Sequence, residues 1–400
     1  MARDMKDSGI EWIGEIPREW EVSSLKHLGQ FINGYAFKPE QWGFIGKRII
    51  RIQDLTGSND NPNYYDGDID IKYHINNGDI LVSWAATLDT FIWNKGEGLL
   101  NQHIFKAIHN EKRISYKFFY WLLKETMENM NNDNKHGIVM QHVTLDVFNN
   151  FKVPLPNKYE QQQIAFFLDT QCAHIDFVIE KTRAAIEEYK KLKQAVITQA
   201  VTKGIRPNRE MKDSGIEWIG DIPKEWKIGK AKHYVSITNG SDPKYDGDIP
   251  VYGSGANSFK TCGEYKEGPC VLIGRKGATL HIPHYIDHNY WNVDTAFDVK
   301  PLKSYNLRYY YYTACCFDYK LYISQTTLPG MTQTNYENMF VPAPNLSEQT
   351  EIVAHLDEKT AAIDFLIKKK EQLISELEAY KKSLIYEYVT GKKEVPVHAH

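Results

Sequence analysis

Two short turns come closest to a catalytic motif. An adenine methyltransferase needs Asn/Asp-Pro-Pro-Tyr/Phe to hold a base turned out of the duplex. The nearest segments are Asn61-Pro-Asn-Tyr64 and Asp242-Pro-Lys-Tyr245, and both lack the second proline. Gly274-Arg-Lys-Gly277 is too short for a nucleotide loop of the form Gly-x-x-x-x-Gly-Lys-Ser/Thr, and no Gly-x-Gly-x-x-Gly follows a strand-like run. We read these segments as turns and expect the chain to be non-catalytic.

Other loop residues carry the kinds of hydrogen-bond donor and acceptor that nucleic-acid-binding proteins use to read bases. Arg and Lys donate to guanine, and Gln and Asn pair with adenine. Lysines mostly meet phosphates, which position a protein without reading sequence. The alternatives are a solvated turn for the glycine-flanked Arg275 loop, core packing for Trp84 and hydrogen-bonded surface roles for the histidines. The candidates are Trp84, Thr87, Lys135, His136, Gln141 and His142 in the first half, and Arg275, Lys276, Thr279, Thr332 and Gln333 in the second.

The elements that must position these residues occur twice. The segment from Met5 to Trp20 returns 206 residues later as the segment from Met211 to Trp226. Of its sixteen positions only Glu15/Asp221 and Arg18/Lys224 differ, and both pairs keep their charge. Such a repeat indicates one structural plan executed twice. We expect its tryptophans and isoleucines to pack, fixing each domain against a helix or a partner, although a binding epitope is the alternative.

A long helix is predicted between Asn157 and Gly204. Residues 158 to 203 contain neither proline nor glycine, and Asn157 and Glu160 stand in a capping-box relation. At 1.5 Å per residue, the ~30 residues from 170 to 200 would extend ~45 Å. Apolar or small residues recur at steps of three and four, which is typical of a coiled-coil seam. The predicted seam is Ile175, Val178, Thr182, Ala185, Tyr189, Leu192 and Val196.

The partner of this helix lies in the same chain, 188 residues further on. Glu160-Gln161 returns as Glu348-Gln349, and the entry Val153-Pro-x-Pro-Asn157 returns as Val341-Pro-x-Pro-Asn345. Two similar helices joined through two similar domains tend to pack about a pseudo-two-fold axis, so we predict an antiparallel pair. Lys370 is a polar seam member that could set register. The second seam is Ile363, Leu366, Lys370, Leu373, Leu377, Tyr380 and Leu384.

These repeats predict an α/β (α+β) protein with two mixed globular domains. The first domain should contain strand-like runs at 47–53 and 79–84 and a helix over Tyr116–Met130. The two domains diverge strongly, but Gly78–Thr87 resembles Gly268–Thr279. The predicted segments are domain 1 (1–156), helix 1 (157–205), domain 2 (206–344), helix 2 (345–392) and a tail (393–400).

Composition narrows the class of protein. A net charge of −3 gives no global field that favours nucleic acid, so DNA binding would need local basic patches or basic partners. The five cysteines contain no Cys-x-x-Cys and predict neither a disulfide framework nor a metal site. No apolar run reaches ~18 residues, and the N-terminal residues form no hydrophobic signal segment. We therefore expect a cytoplasmic protein without a membrane partner.

Two different domains held at a fixed separation suit a linear ligand. Two binding modules on one ligand gain affinity through effective concentration only when their spacing fits. Double-stranded DNA is the obvious candidate, because half-sites recur at ~34 Å per helical turn. Because the two domains differ, the predicted target is a split, asymmetric DNA sequence.

The doubled arrangement resembles the specificity subunits of Type I restriction–modification systems. The likeness rests on the opening Asp-Ser-Gly-Ile-Glu-Trp-Ile-Gly-x-Ile-Pro-x-x-Trp, the Pro-x-Pro exit before Glu-Gln, and the Ile-Asp helix ending in Val-Thr, and it covers essentially the whole chain. It implies two target recognition domains, docking to two methyltransferase (M) subunits that modify adenine N6, and restriction (R) subunits that join for cleavage. It also implies that S-adenosylmethionine, ATP and Mg²⁺ bind in the partners and that this chain holds no cofactor.

Two other classes of protein compete with this interpretation. A coiled-coil scaffold spacing two protein-binding modules would show no sequence-dependent affinity for DNA. A self-sufficient methyltransferase or nuclease would need the motifs that are missing above. The charged outer helix faces, such as Glu187 and Lys190, are either plain solvated surface or part of the methyltransferase dock.

Overall fold

The computed structural model describes residues 3–58, 61–135, 144–277, 279–302, 305–319, 322 and 330–396. The chain divides into two compact units, one formed by Met1–Glu180 with Ile374–His400 and the other by Lys181–Leu373. Each unit contains one globular domain and a stretch of each long helix, α5 (Lys158–Lys203) and α8 (Leu346–Val389). None of the helices in the described ranges is long and apolar enough to cross a membrane.

The remaining elements are short. In the first unit they are β1 (Met5–Ile10), β2 (Gly14–Pro17), β3 (Glu21–Ser24), α1 (Leu25–Leu28), β4 (Gly29–Asn33), β5 (Lys47–Ile50), α2 (Ile52–Thr56), β6 (Tyr64–Tyr65), β7 (His74–Ile75), β8 (Ile80–Ser83), β9 (Asp89–Ile92), β10 (Gly98–Leu100), β11 (Ile104–His109), α3 (Tyr116–Lys135), α4 (Leu145–Asn150) and β12 (Lys152–Leu155). In the second unit they are β13 (Met211–Asp213), β14 (Asp221–Pro223), β15 (Lys227–Lys230), β16 (Val235–Asn239), β17 (Ile249–Tyr252), β18 (Lys260–Cys262), β19 (Cys270–Gly274), β20 (His284–Ile286), β21 (Trp291–Asn292), β22 (Ala296–Pro301), α6 (Leu307–Ala314), α7 (Gln333–Asn338) and β23 (Phe340–Ala343).

The two domains share one topology despite their divergent sequences. The main sheet of domain 1 has the antiparallel order β4-β11-β8-β9, and that of domain 2 has the order β16-β22-β19-β20. A smaller sheet in each domain contains one parallel pair, β5 with β10 and β17 with β21. The predicted likeness of Gly78–Thr87 to Gly268–Thr279 is confirmed, because β8 and β19 hold the same place in the sheet order.

Two local predictions for domain 1 needed adjustment. The strand-like run at 47–53 ends at Ile50, and α2 begins at Ile52, because Asp54 accepts hydrogen bonds from the Arg51 backbone (2.8 Å) and the Arg48 guanidinium (Nε, 2.9 Å). The helix predicted over Tyr116–Met130 continues to Lys135. Its apolar positions 118, 119, 122 and 123 are buried, as expected for a core-facing stripe.

The repeated opening segments form hairpins that pack, as the structural interpretation predicted. Strands β1 and β2 pair antiparallel, as do β13 and β14. Ile16 and Trp20 are buried in the core of the first unit, and Ile222 and Trp226 in that of the second. The segments therefore fix each domain to its core and present no free aromatic epitope at these positions.

Each long helix begins at a repeated cap. Asn157 accepts a hydrogen bond from the Glu160 backbone (3.0 Å), and Asn345 accepts one from the Glu348 backbone (3.0 Å). The first helix ends before Gly204, whose φ of +74° suits a residue without a Cβ. These caps supply partners for backbone N–H groups that the first helical turn leaves unpaired.

Within each unit the stretches of α5 and α8 run antiparallel. In the first unit the Phe167 ring lies 4.5 Å from the Tyr388 ring, and Asp176 accepts from Lys381 (2.6 Å). In the second unit Tyr189 lies beneath the Lys370 ammonium (5.7 Å to the ring centroid), and Lys193 donates to Asp364 (2.7 Å). In both units, residues further along α5 contact residues earlier in α8, as antiparallel packing requires.

The predicted seam is wrong at four positions. Leu192, Leu366, Leu373 and Tyr380 are exposed by 49%, 41%, 41% and 53%. Val178, Ala185, Tyr189, Val196, Lys370 and Leu377 are half-buried, and Val196 and Leu377 pack against the hydrophobic cores of their units. Ile175, Thr182, Ile363 and Leu384 are buried where the seam placed them. On α5 the other buried positions nearby are Ile179 and Ile186, one residue later than the predicted Val178 and Ala185.

Two lysines explain why the pattern of apolar residues misplaced part of the contact face between the helices. Lys193 and Lys381 lie on the faces that the two helices turn toward each other, with 31% and 21% of their side chains exposed. Each ammonium reaches an aspartate of the other helix. Lysine stems cover apolar surface while the charge stays accessible. Counting only apolar letters therefore selected the neighbouring leucines instead.

Candidate nucleic-acid interface

Strand pairing aligns the loops of the two domains residue by residue. Ser83 pairs with Ile104 in domain 1, and Gly274 pairs with Ala296 in domain 2. One step on, the backbone of Trp84 donates to His103 (3.3 Å), and that of Arg275 donates to Thr295 (2.8 Å). Trp84 therefore corresponds to Arg275, and the predicted equivalence of these two turns is borne out by the hydrogen bonding.

In domain 2 the structure brings the two predicted candidate segments together. The Met331 backbone donates to the Arg275 carbonyl (2.9 Å), and Lys276 forms an isolated bridge with Gly330. Lys276 and Thr279 are exposed, and the Thr279 hydroxyl donates to the Ser254 carbonyl (3.1 Å). One guanidinium nitrogen of Arg275 donates to the Asp294 carbonyl (3.3 Å). The cluster thus presents two cations on a loop anchored from three sides.

Two of the domain 2 candidates have structural roles. The Thr332 hydroxyl caps α7 by accepting from the Asn335 backbone (3.1 Å). The Gln333 amide donates to the Ile237 carbonyl (3.0 Å) and to Glu337 (2.7 Å), and its oxygen accepts from Asn239 (3.4 Å). Gln333 therefore has its hydrogen bonds filled within the domain, whereas Thr332 remains exposed beside the cluster.

In domain 1 the predicted candidates are only partly described. Trp84 is half-buried and stacks on Phe105 (5.7 Å between ring centroids, 21° between planes), as its core-packing alternative expected. Thr87 is exposed in the turn between β8 and β9. His136, Gln141 and His142 lie outside the described residues, as does the side chain of Lys135.

Sequence reasoning missed one loop in each domain. The loop between β10 and β11 carries Gln102 and His103, and the equivalent loop between β21 and β22 carries Asp294 and Thr295. Gln102 and His103 are half-buried beside Trp84, and the His103 ring meets the Trp84 ring edge-on at 5.5 Å. These loops sit directly beside the turns that were singled out.

A repeated glycine was the available signal. Gly34 and Gly240 lie 206 residues apart, the spacing of the opening segments, and each follows an asparagine. A Cβ at Gly34 would lie 1.9 Å from the Asn101 carbonyl oxygen, and one at Gly240 would lie 2.1 Å from that of Val293. Only glycine permits this close approach, so the pair marks where the missed loop packs against the end of β4 or β16.

The loop cluster lies at the far end of each sheet from the long helices. In domain 1, β4 starts at Gly29 opposite His109, near the segment where Gln161 of α5 accepts from the Ser115 backbone (2.8 Å). The same strand ends at Asn33 opposite Phe105, beside the loops. Domain 2 repeats this, since Gln349 of α8 accepts from the Asn306 backbone (2.7 Å). In each domain, the contacts with the long helix and the loop cluster therefore lie at opposite ends of the strands.

A neutral histidine lies close to the domain 2 cluster. Burial lowers the pKa of His284, partly opposed by a hydrogen bond with the Ser254 backbone. The charge of the cluster near neutral pH therefore comes from Arg275, Lys276 and the exposed Asp294. A guanidinium, an ammonium and a carboxylate on neighbouring loops are the kinds of donor and acceptor that can read base edges.

Comparison with known proteins agrees with this arrangement. The family described as the Type I restriction modification DNA specificity domain matches residues 17–188 and 223–376. The chain is 25% identical over 417 residues to the putative type I restriction enzyme MjaX specificity subunit of Methanocaldococcus jannaschii, covering 96% of each. It is 29% identical over 218 residues to the type I restriction enzyme EcoBI specificity subunit of Escherichia coli, covering 53% of this chain and 44% of that subunit. The match thus spans less than half of the EcoBI subunit.

A solved structure supports the same fold. One solved chain comes from work on the complex assembly and conformational transition of the type I R-M system. It superposes on this chain with a TM-score of 0.69 at 16% identity, and the match covers 94% of this chain and 99% of that one. The family match covers both repeats, each with its globular domain and part of a long helix. The chain therefore belongs to the Type I restriction modification DNA specificity domain family.

Proposed function

We propose that this chain is the DNA specificity subunit of a Type I restriction–modification complex. Each globular domain reads one half of an asymmetric, bipartite double-stranded target, and the helix pair sets the spacer between the halves. The observation that carries the proposal is the contrast between frame and loops. The sheets, caps and hairpins repeat, while Trp84, Gln102 and His103 stand where the second domain has Arg275, Asp294 and Thr295. Two domains that share a fold but carry different loop residues are suited to reading two different DNA sequences.

We propose further that two M subunits dock on the exposed apolar positions of the long helices. Phe177 and Phe365 hold the same place in the repeat and are exposed by 55% and 59%. Tyr380 in the first unit, and Leu192 and Leu366 in the second, are further exposed apolar residues of the long helices. Exposed apolar residues that recur with the repeat suit a partner that binds twice. R subunits would join the complex formed by this chain and the M subunits.

Catalysis is assigned to the partners. S-adenosylmethionine would bind in the M subunits, and ATP and Mg²⁺ in the partner subunits that drive restriction. This chain would hold no cofactor and act in the cytoplasm. A −3 chain should bind DNA weakly alone, because affinity scales with the number of phosphates that cations neutralise.

Adenine methylation in cells tests this function. The chain is expressed with an M subunit in a host that lacks both, and N6-methyladenine is mapped by single-molecule sequencing beside a host with the M subunit alone. We expect one bipartite motif with a fixed spacer. Replacing residues 227–340 with those of another family member should change one half only. If an active M subunit gains no motif from this chain, the scaffold that spaces two protein-binding modules becomes the better explanation.

A further inference from the structure

We propose that Gln102 in domain 1 and Asp294 in domain 2 each read one base in the major groove. The proposal rests on the specificity function above and deepens it by naming the reading residues and their preferred bases. Each residue lies on the loop that enters an inner strand of its main sheet, β11 in domain 1 and β22 in domain 2. We infer that Gln102 selects adenine and Asp294 selects cytosine.

The two residues hold the same position in the two domains. His103 and Thr295 accept the backbone hydrogen bonds of Trp84 and Arg275, so the residues just before them, Gln102 and Asp294, are structural equivalents. The glycine that follows β4 or β16 packs against the backbone of this loop at the residue just before Gln102 or Asp294. One frame position therefore carries a carboxamide in one domain and a carboxylate in the other.

The Gln102 side chain is oriented but not saturated. Its amide nitrogen lies 3.3 Å from Nε2 of His103, and no other side-chain hydrogen bond engages it within the described residues. When the amide donates one N–H to that ring nitrogen, its second N–H and its oxygen remain available. This donor and acceptor match N7 and the N6 amino group of adenine.

His103 acts as a positioning residue for this amide. Its backbone N–H points to the Asn101 side-chain oxygen (3.4 Å), and its ring rests edge-on against Trp84. Its Nδ1 is buried and has no hydrogen-bond partner among the described residues. The ring is thus fixed by packing, which leaves Nε2 as the atom that orients Gln102.

Asp294 presents the complementary chemistry. Its side chain is exposed, and no hydrogen bond of its carboxylate occurs within the described part of domain 2. Its backbone carbonyl oxygen accepts a hydrogen bond from the Arg275 guanidinium at 3.3 Å, so the two residues are neighbours on adjoining loops. An ionised carboxylate only accepts, and the cytosine N4 amino group is the donor in the major groove that fits it.

Point variants of these residues, compared by the DNA motif that each one directs, test the proposal. Gln102→Ala, Gln102→Glu, His103→Ala and Asp294→Ala are each co-expressed with the M subunit, and adenine methylation is mapped across the genome. Gln102→Ala should lower discrimination at one base of the domain 1 half by about tenfold or more, and Gln102→Glu should favour cytosine there. His103→Ala should weaken the preference at that same base, and Asp294→Ala should act only on the domain 2 half.

Each domain is the control for the other, and Gln30→Ala is a further control. Gln30 is exposed on β4 near the end of the sheet that faces the helix attachment, so its loss should leave the motif unchanged. If the wild-type chain directs no motif, the proposed function itself fails. If the wild-type motif is present and the Gln102 and Asp294 variants, folded by circular dichroism, methylate it with unchanged base preference, the function stands and this inference is overturned.

Discussion

At the scale of single residues, a repeated trio ties each opening segment to the start of a long helix. Glu160 accepts from Trp20 Nε1 (2.8 Å) and pairs with Arg3, and Glu348 accepts from Trp226 Nε1 (3.1 Å) and pairs with Arg209. The repeat therefore extends two residues before Met5 and Met211. The neighbouring glutamines, 161 and 349, hold the segments that lead into α3 and α6, which explains why Glu-Gln recurs as a pair.

Removing the buried carboxylate of this trio should destabilise the second unit. The Glu348 side chain is 1% exposed, and Glu348→Ala would leave the Trp226 N–H and the buried side of the Arg209 guanidinium without their acceptor. We expect a loss of about 3 kcal/mol or more, as for a broken buried ion pair, measured as a lower urea midpoint. Glu225→Ala removes an exposed partner of the same arginine and should change the midpoint little. Equal shifts in the two variants would contradict this account.

A buried carboxyl on α3 predicts a pH dependence of stability. Burial, with a smaller contribution from the nearby Glu128 charge, raises the pKa of Glu125 to about 7 despite the Lys382 ammonium. The folded state therefore keeps this proton to a higher pH than the unfolded state does. Stability from this group is present at low pH and is lost as pH rises from about 4.5 to 7.

Glu125→Gln removes that titration. Relative to the wild-type chain, the variant should gain stability at pH 8, by an amount on the order of 3 kcal/mol at most, and little or none at pH 5. Urea midpoints of both chains at the two pH values provide the measurement. A difference between the chains that is the same at both pH values would argue against the raised pKa.

At the scale of elements, the register of the helix pair depends on residues that an apolar pattern does not select. Ile186 is 6% exposed, whereas Leu192, a member of the predicted seam, is 49% exposed. Ile186→Ala should lower the free energy of unfolding by about 2–4 kcal/mol through lost burial and a cavity. Leu192→Ala should cost less than about 0.5 kcal/mol. Thermal and urea midpoints compare the two, and a larger loss at Leu192 would restore the seam read from sequence.

At the scale of the whole molecule, equivalent segments join the repeats and close the first unit. Ile205–Asn208 follow α5 and lead into the second opening segment, lining a cavity with Arg209. Lys393–Pro396 follow α8 and line a cavity of about 360 Å³ with Arg3. The stretch after α8 therefore arrives at the first opening segment, as the connector arrives at the second.

This equivalence predicts that a circularly permuted chain folds and functions. A short Gly/Ser linker would connect Pro396 to Arg3, and the new opening would lie between Pro207 and Asn208, which are exposed. The permuted chain should direct methylation to the same bipartite motif. A permutant opened at Ile186, inside α5, should fail to fold because it breaks the helix at a buried position. Loss of folding in both permutants would show that the connector is required.

The sequence by itself determined the features that local chemistry and repetition specify. The long helices follow from the absence of proline and glycine between Asn157 and Gly204, and their caps from asparagine before Glu-Gln. The repeat of Met5–Trp20 predicted two domains of one plan, and the Arg275 turn was found from its cation between glycines. These signals are local, so they survive without knowledge of tertiary contacts.

Tertiary structure alone decided which residues share a site. Gln102 and Asp294 became equivalent through strand pairing in sheets whose sequences have diverged, and no spacing in the chain aligns them. The helix seam shifted because Lys193 and Lys381 reach aspartates of the opposite helix, a long-range pairing that side-chain hydrophobicity does not encode. Repeats and caps are written along the chain, whereas loop clusters and helix register depend on contacts between distant segments.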